Sequence, residues 1–200
     1  MIQAEGIFAE GIFAGGATKP YIEEIYDSDG NLIDVKLYGY TKIRDSAFYV
    51  CGNLALTSLP EGITSIEYYA FGGCTNLALT SLPEGITSIN DSAFIDCTNL
   101  ALTSLPAGLT SIGQYAFGYC ENLALTSLPK GITSIGYYAF AHCTGLTSLT
   151  FLGTPTSIAS SAFQNCTNLT TINVPWAEGA VANAPWDATN ATINYNYMGG

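Results

Sequence analysis

Apolar residues return along this chain at a fixed interval. Cysteines stand at 51, 74, 97, 120, 143 and 166, every interval being 23. The dipeptide Ala-Phe keeps step with them at Ala47-Phe48, Ala70-Phe71, Ala93-Phe94, Ala116-Phe117, Ala139-Phe140 and Ala162-Phe163. An Asn follows most of the cysteines (Asn53, Asn76, Asn99, Asn122, Asn168), with Gly145 as the exception. Leu54, Leu77, Leu100, Leu123, Leu146 and Leu169 come next. Six phased repeats without an insertion make internal repetition the first fact about the fold.

Each repeat divides into short pieces. Asn-Leu-Ala-Leu-Thr-Ser-Leu is β-like, and Pro60-Glu61-Gly62 turns the chain, because proline presets φ and glycine leaves it free. Ile63-Thr64-Ser65-Ile66 is a second short extended piece. Tyr68-Tyr69-Ala70-Phe71 then winds a turn, expected as 3₁₀ or short helix, that drops Ala and Phe inward. Asp or Ser at this turn, as in Asp45-Ser46 and Asp91-Ser92, suits an N-cap. No single repeat can bury its own apolar face, so stability is shared between stacked neighbours. The pattern therefore predicts an α/β-type repeat solenoid of short parallel strands and helical turns, capped at both ends.

The ends differ from the middle. Residues 1–19 repeat EGIFA, continue into GGATK, and read as a flexible segment. Residues 20–40 read as a capping hairpin, with Tyr21–Tyr26 and Leu32–Tyr38 extended around the turn Asp27-Ser28-Asp29-Gly30-Asn31. The six-repeat array is placed at 41–175 and a C-terminal cap or tail at 176–200. That tail holds Trp186, with Trp176 at its start, and ends in an alternating Thr192–Tyr197 stretch.

The repeat resembles the BspA-like leucine-rich repeats of bacterial surface proteins, whose pattern runs L-x-x-I-x-[IL]-P-x-x-[VI]-x-x-I-x-x-x-A-F-x-x-C. Leu169-x-x-Ile172-x-Val174-Pro175 carries its first part and Ile135-x-x-x-Ala139-Phe140-x-x-Cys143 its second. The resemblance spans about residues 36–175 and implies a right-handed leucine-rich-repeat coil stack. Repeats one to four depart from the pattern: Thr57, Thr80, Thr103 and Thr126 occupy its second apolar position, and a Leu stands one residue earlier. A one-residue slip exchanges the faces of a strand, so a local register shift is expected there. Such arrays are similar to those of adhesins that hold host or neighbouring-cell proteins. The stretch from Val174 also resembles tails of repeat proteins encoded by gut bacteria and their prophages. The resemblance thus implies a non-catalytic binding module at a cell surface, with a protein or glycan as partner. The alternative is a structural or receptor-binding component of a phage or prophage particle, with the termini as candidates for self-assembly.

Composition narrows these classes. Charged residues make up only 10% of the chain, and 16 acidic against 5 basic side chains leave a formal net charge of −11. Nucleic acid binding needs Lys and Arg to displace counterions from phosphates, so that class is excluded, and anionic membrane surfaces are disfavoured. The start, MIQAEGIFAEGIFAGGATKP, carries no basic leader region, so a secretory signal is not expected. No apolar run reaches the ~18 residues needed to cross a bilayer, and membrane insertion is not expected.

Several constellations invite chemistry. Each Cys sits at the same phase beside a core Phe, which makes a ladder of small buried hydrophobes the favoured reading over disulfides. Spacing by 23 does not supply the short ligand intervals of a zinc site. His142 beside Cys143 resembles a base and nucleophile pair, but neighbours on a turn point apart and Cys143 belongs to the ladder. The Asp27–Asn31 stretch has a calcium-loop flavour, yet Gly falls at its position 4 and Tyr38 at position 12, so a hairpin turn is preferred. The sequons at Asn90, Asn165, Asn168 and Asn190 are read as accidental, and the Asn ladder as satisfying backbone groups at the bend. The Thr-Ser columns lack the Thr-x-Thr spacing of ice-binding faces. No catalytic residue, metal ligand or cofactor site is assigned, and the chain is expected not to be an enzyme.

Comparing the repeats with one another locates the candidate contact surface. The core phases barely vary. The variable positions lie just before Ala-Phe and between Phe and Cys, where Tyr68, Tyr69, Gln114, Tyr115, Tyr119, Tyr137, Tyr138 and His142 are candidate partner-binding residues. Tyrosine contributes large contact area at small entropic cost. Drift at exposed positions is the competing explanation. Ser46, Ser92 and Ser161 share the phase of Tyr69 and Tyr138, which suggests that Ser can replace those tyrosines without loss of stability.

Overall fold

A computed structural model describes residues 21–199; the expectation for 1–19 lies outside them. Strands β1 (Tyr21–Tyr26) and β2 (Leu32–Tyr38) pair antiparallel. Asp27 closes their turn: its carboxylate accepts from the N–H groups of Asp29 and Asn31 and from the Asn31 amide. The Asn31 donors hold the Asp27 carboxyl below its usual range. Beyond the turn, Val35 and Leu37 are buried in the core, and the Ile33 carbonyl accepts from Ala55 in the first coil.

The coils, numbered here by Phe48, Phe71, Phe94, Phe117, Phe140 and Phe163, carry two strand positions. The Thr-Ser-Ile position gives β3 (Lys42–Ile43), β4 (Ser65–Ile66), β5 (Ser88–Ile89), β6 (Ser111–Ile112), β8 (Ser134–Ile135) and β10 (Ser157–Ile158). These form one parallel sheet in coil order, with Ile over Ile. Threonines beside it donate to the carbonyl of the threonine one coil earlier, as Thr110 does to Thr87 and Thr133 to Thr110, both at 2.9 Å. The hydroxyl column is thus tied into the stack itself.

The other position gives β7 (Ser127–Leu128), β9 (Ser148–Phe151), β11 (Thr171–Asn173) and β12 (Thr192–Asn194), a second parallel sheet. It begins only in coil four. In coils five and six the inward residues are Leu149 and Phe151, then Ile172 and Val174, spaced by two as a strand requires. In coils one to three the buried pairs are Leu56 and Leu59, Leu79 and Leu82, Leu102 and Leu105, spaced by three, and Thr57, Thr80 and Thr103 are exposed. Coil four keeps the same spacing, with Leu125 and Leu128 buried, and contributes the two-residue β7 where it meets β9. The departure therefore does not flip a strand; coils one to three lack one.

The Ala-Phe turn is not helical, and among the described residues there is no helix. Alternate N–H groups explain why. In coil two Ala70, Gly72 and Cys74 donate backwards within the turn, to Glu67, Tyr69 and Phe71. Tyr69, Phe71 and Gly73 donate instead to the next coil, at Asp91, Ala93 and Ile95. A helix keeps its N–H groups for its own chain, whereas here half of them stitch the coils together. Left-handed residues interrupt each turn at two points, at Tyr69 (φ 52°) and Gly73 (φ 74°) in coil two.

Inside the turn the phenylalanine rings form one stack. Successive centroids from Phe48 to Phe163 are 5.2–5.5 Å apart, with planes within 14°. One repeat length beyond Phe163 stands the fully buried Trp186; its carbonyl accepts from the Phe163 N–H, as an Ala carbonyl does in the other coils, and its ring packs on Phe151 and Trp176. β12 extends the second sheet alongside it, pairing Ile193 with Ile172. The C-terminal stretch thus continues the stack as an irregular further coil, with Trp176 packed edge-on against Phe151 at 5.2 Å. Among the described residues no helix is long and apolar enough to cross a membrane.

Candidate functional site

All six cysteines are buried free thiols. Those of Cys74, Cys97, Cys120, Cys143 and Cys166 each donate to the Phe carbonyl of the preceding coil at 2.9–3.0 Å. Burial pushes the thiols of Cys97, Cys120 and Cys143 well above the ordinary value, and that of Cys166 up to about 12. A thiol that holds its proton is neither a nucleophile nor a metal ligand. The structure thus gives the ladder a bonding role inside the stack. No group of three or more His, Cys, Asp or Glu side chains among the described residues could hold a metal ion. The Asn phase is split in its role: Asn99 and Asn122 donate to the Asn one coil earlier, while Asn168 reaches the Thr144 carbonyl.

The eight candidate contact residues fall into three groups. Tyr68, 49% exposed, meets Tyr69 edge-on with centroids 4.4 Å apart. Tyr115 stacks on Tyr138 at 4.8 Å, and Tyr137, 56% exposed, stands beside Tyr138. Gln114 lies at the phase of Tyr68 and Tyr137, exposed, with its N–H held by the Asp91 carboxylate at 2.7 Å. Tyr119 and His142 form a separate pair on the other side of the Phe, stacked at 4.4 Å and 9°. The Asn165 amide is 3.1 Å from His142 Nε2 and extends that row by one coil. His142 is thus engaged with Tyr119 and Asn165, while the Cys143 thiol is committed to the Phe117 carbonyl.

Tyr69, Tyr115 and Tyr138 are half-buried, and the reason lies just downstream, past the Phe. Where this phase holds Tyr, the position after Phe is small and buried: Gly72, Gly118 and Ala141. Where it holds Ser, at 46, 92 and 161, that position is the bulkier Tyr49, Ile95 or Gln164. A Cβ at Gly72 would lie 2.9 Å from the Tyr69 ring and 3.2 Å from both Tyr49 and Ile95. A Cβ at Gly118 would lie 3.1 Å from the Tyr115 ring. Each coil therefore supplies one large side chain to the same strip, from one of two phases. This corrects the expectation that Ser can replace Tyr69 or Tyr138 freely, because Ser occurs only where a bulky partner covers the backbone. Tyr49 belongs to the strip, edge-on to Tyr69 at 5.4 Å, and the variable-position reading passed it over. The reciprocal Tyr/small and Ser/large pattern was the signal for it.

Comparison with known proteins agrees with this architecture. The model of the BspA type leucine-rich repeat region matches residues 41–170 in six copies. A solved leucine-rich repeat protein of T. pallidum is similar in structure, with a TM-score of 0.60 and 27% identity, over 76% of this chain and 81% of that one. A solved leucine-rich cell surface protein of Faecalibacterium prausnitzii aligns at 20% identity with a TM-score of 0.48, over 80% of this chain and 72% of that one. No curated protein matches the sequence. With the family model covering well over half of its length and the coil geometry in agreement, the chain belongs to the BspA type leucine-rich-repeat family.

Proposed function

We propose that the chain is a non-catalytic binding module whose tyrosine-rich edge contacts a protein or glycan on a cell surface. Leucine-rich-repeat proteins are in general binding modules rather than enzymes, and the family membership supports that coarse reading. The observation that carries the finer one is the way the exposed rings are held. Tyr68, Tyr119 and Tyr137 are 38–56% exposed, yet each lies against a second aromatic ring, of Tyr69, His142 or Tyr138. Rings already fixed in place lose little conformational freedom when a partner docks, and they combine apolar area with a polar tip.

The test is binding of the fluorescently labelled full chain to intact bacterial and host cells. The triple variant Tyr68→Ser, Tyr119→Ser, Tyr137→Ser is expected to lose at least about tenfold in apparent affinity, the scale of a lost hot spot. Unchanged binding by a variant with an unchanged melting temperature would refute the edge as the contact surface.

A further inference from the structure

At the phase that opens each Ala-Phe turn the coils carry Arg44, Glu67, Asn90, Gly113, Gly136 and Ala159. In the first three coils long side chains fill this phase. Glu67 is bonded to the Ser65 hydroxyl and accepts from the Asn90 amide at 2.5 Å. In the last three coils the side chain is reduced to a hydrogen or a methyl group. At Gly113 and Gly136 the preceding coil lies where a Cβ would stand, within 2.8 Å. A groove of about 620 Å³, within the span of ordinary ligand sites, runs past these three positions. Its floor is Gly113, Gly136 and Ala159. One wall is the serine column beside them, the other is Gln114 and Tyr137, and Asn183 stands at its end.

We infer that this groove binds a neutral oligosaccharide, laid along the stack. The chemistry of the walls argues for that class. Among the described residues the hydroxyls of Ser111, Ser134 and Ser157 form no hydrogen bond, unlike that of Ser65. They repeat once per coil and offer both donor and acceptor to a chain of hydroxyl groups. Gln114 and Asn183 add amides, and the exposed ring of Tyr137 adds an apolar face at the rim. No Lys or Arg lines the groove, while Asp91 does, so an anionic ligand would meet only repulsion. An extended peptide is disfavoured because the floor has no backbone to share. The N–H groups of Gly113, Gly136 and Ala159 are already bonded to the carbonyls of Ile89, Ile112 and Ile135.

The inference deepens the binding-module reading, and it shares only Tyr137 and Gln114 with the edge proposed above. The experiment is titration calorimetry of the full chain with neutral hexaoses (gluco-, manno-, xylo- and galacto-configured) and with hexagalacturonate as the anionic control. Ala159→Asn places in coil six the residue that coil three holds at Asn90 and fills the groove. Tyr137→Ser imports the residue of coil six, Ser160, and removes the ring. Binding of a neutral hexaose, weakened about tenfold or more by each variant and unaltered by Leu152→Ala at an exposed position outside the groove, is the expected result. Three results overturn it: no neutral hexaose binds, hexagalacturonate binds as well, or binding survives both substitutions. Hexaose binding by the full chain together with unchanged cell binding by the triple variant would refute the edge and leave the groove, whereas cell binding lost in the triple variant with no hexaose bound would refute the groove alone.

Discussion

Coils one to three and coils four to six share a core and differ on two surfaces. In both halves the rings stack at the same spacing, Ile pairs with Ile, and from coil two onward each thiol reaches the preceding Phe carbonyl. The later coils add a second sheet and line an open groove, whereas the earlier ones have no second sheet and tie the same phase together through Glu67 and Asn90. The ladder phases alone are therefore enough to hold a coil. That leaves the other phases free to be specialised, coil by coil, without endangering the stack.

The largest effect expected comes from breaking the shared part. Phe71→Ala in the second coil and Phe140→Ala in the fifth each remove a fully buried ring and should each cost about 3–5 kcal/mol in urea unfolding. The comparison requires the two losses to agree within about 1 kcal/mol, as two equivalent cavities would. A much larger loss at Phe140 would mean that the second sheet, and not the ladder, carries the later coils.

A smaller effect tests the edge strip. Tyr69→Ser uncovers Gly72 and should cost about 1–2 kcal/mol, while the neighbouring Tyr68→Ser should stay within about 0.5 kcal/mol. Adding Gly72→Ile to Tyr69→Ser recreates the Ser92 and Ile95 pair of coil three and should restore most of the loss. If the double variant is as unstable as the sum of its parts, the two phases are not exchanging one packing role.

Much of this was legible in the sequence, and the limits have physical causes. The phase of Ala-Phe and Cys located the core, because a position that recurs once per repeat meets its own kind in the next coil. The hairpin strands were legible from alternation and an Asp-Gly-Asn turn. The non-helical turn was not legible, since its residues look like any short helix and only the neighbouring coil reveals where half of their N–H groups go. The place of Trp186 in the stack was also missed: it stands a full repeat length beyond Phe163, but no Ala or Cys marks the phase. The groove escaped because its lining comes from separate coils and from Asn183, which only the stack brings together.

The smallest stability change, and the most direct probe of the two halves, lies in the spacing of two leucines. In coil three Leu102 and Leu105 point inward and no strand forms; in coil five Leu149 and Phe151 do, and β9 forms. Exchanging the order of one pair, Leu102→Thr with Thr103→Leu, gives coil three the later spacing while conserving the buried volume. Net stability should then move by less than about 1.5 kcal/mol. The hydrogen bonding should change more than the stability. Leu152 donates to Leu128 and Thr150 to Thr126, each bond reaching into the preceding coil with the same offset. By that offset Leu128 should gain the Ser104 carbonyl as acceptor. Slower amide exchange at Leu128 in the variant would show that a two-residue spacing lets coil three extend the second sheet beyond β7. Unchanged exchange, with the exchanged pair still buried, would move the cause from the leucines to the bulky Phe151 and Trp176 that pack beneath the later strands.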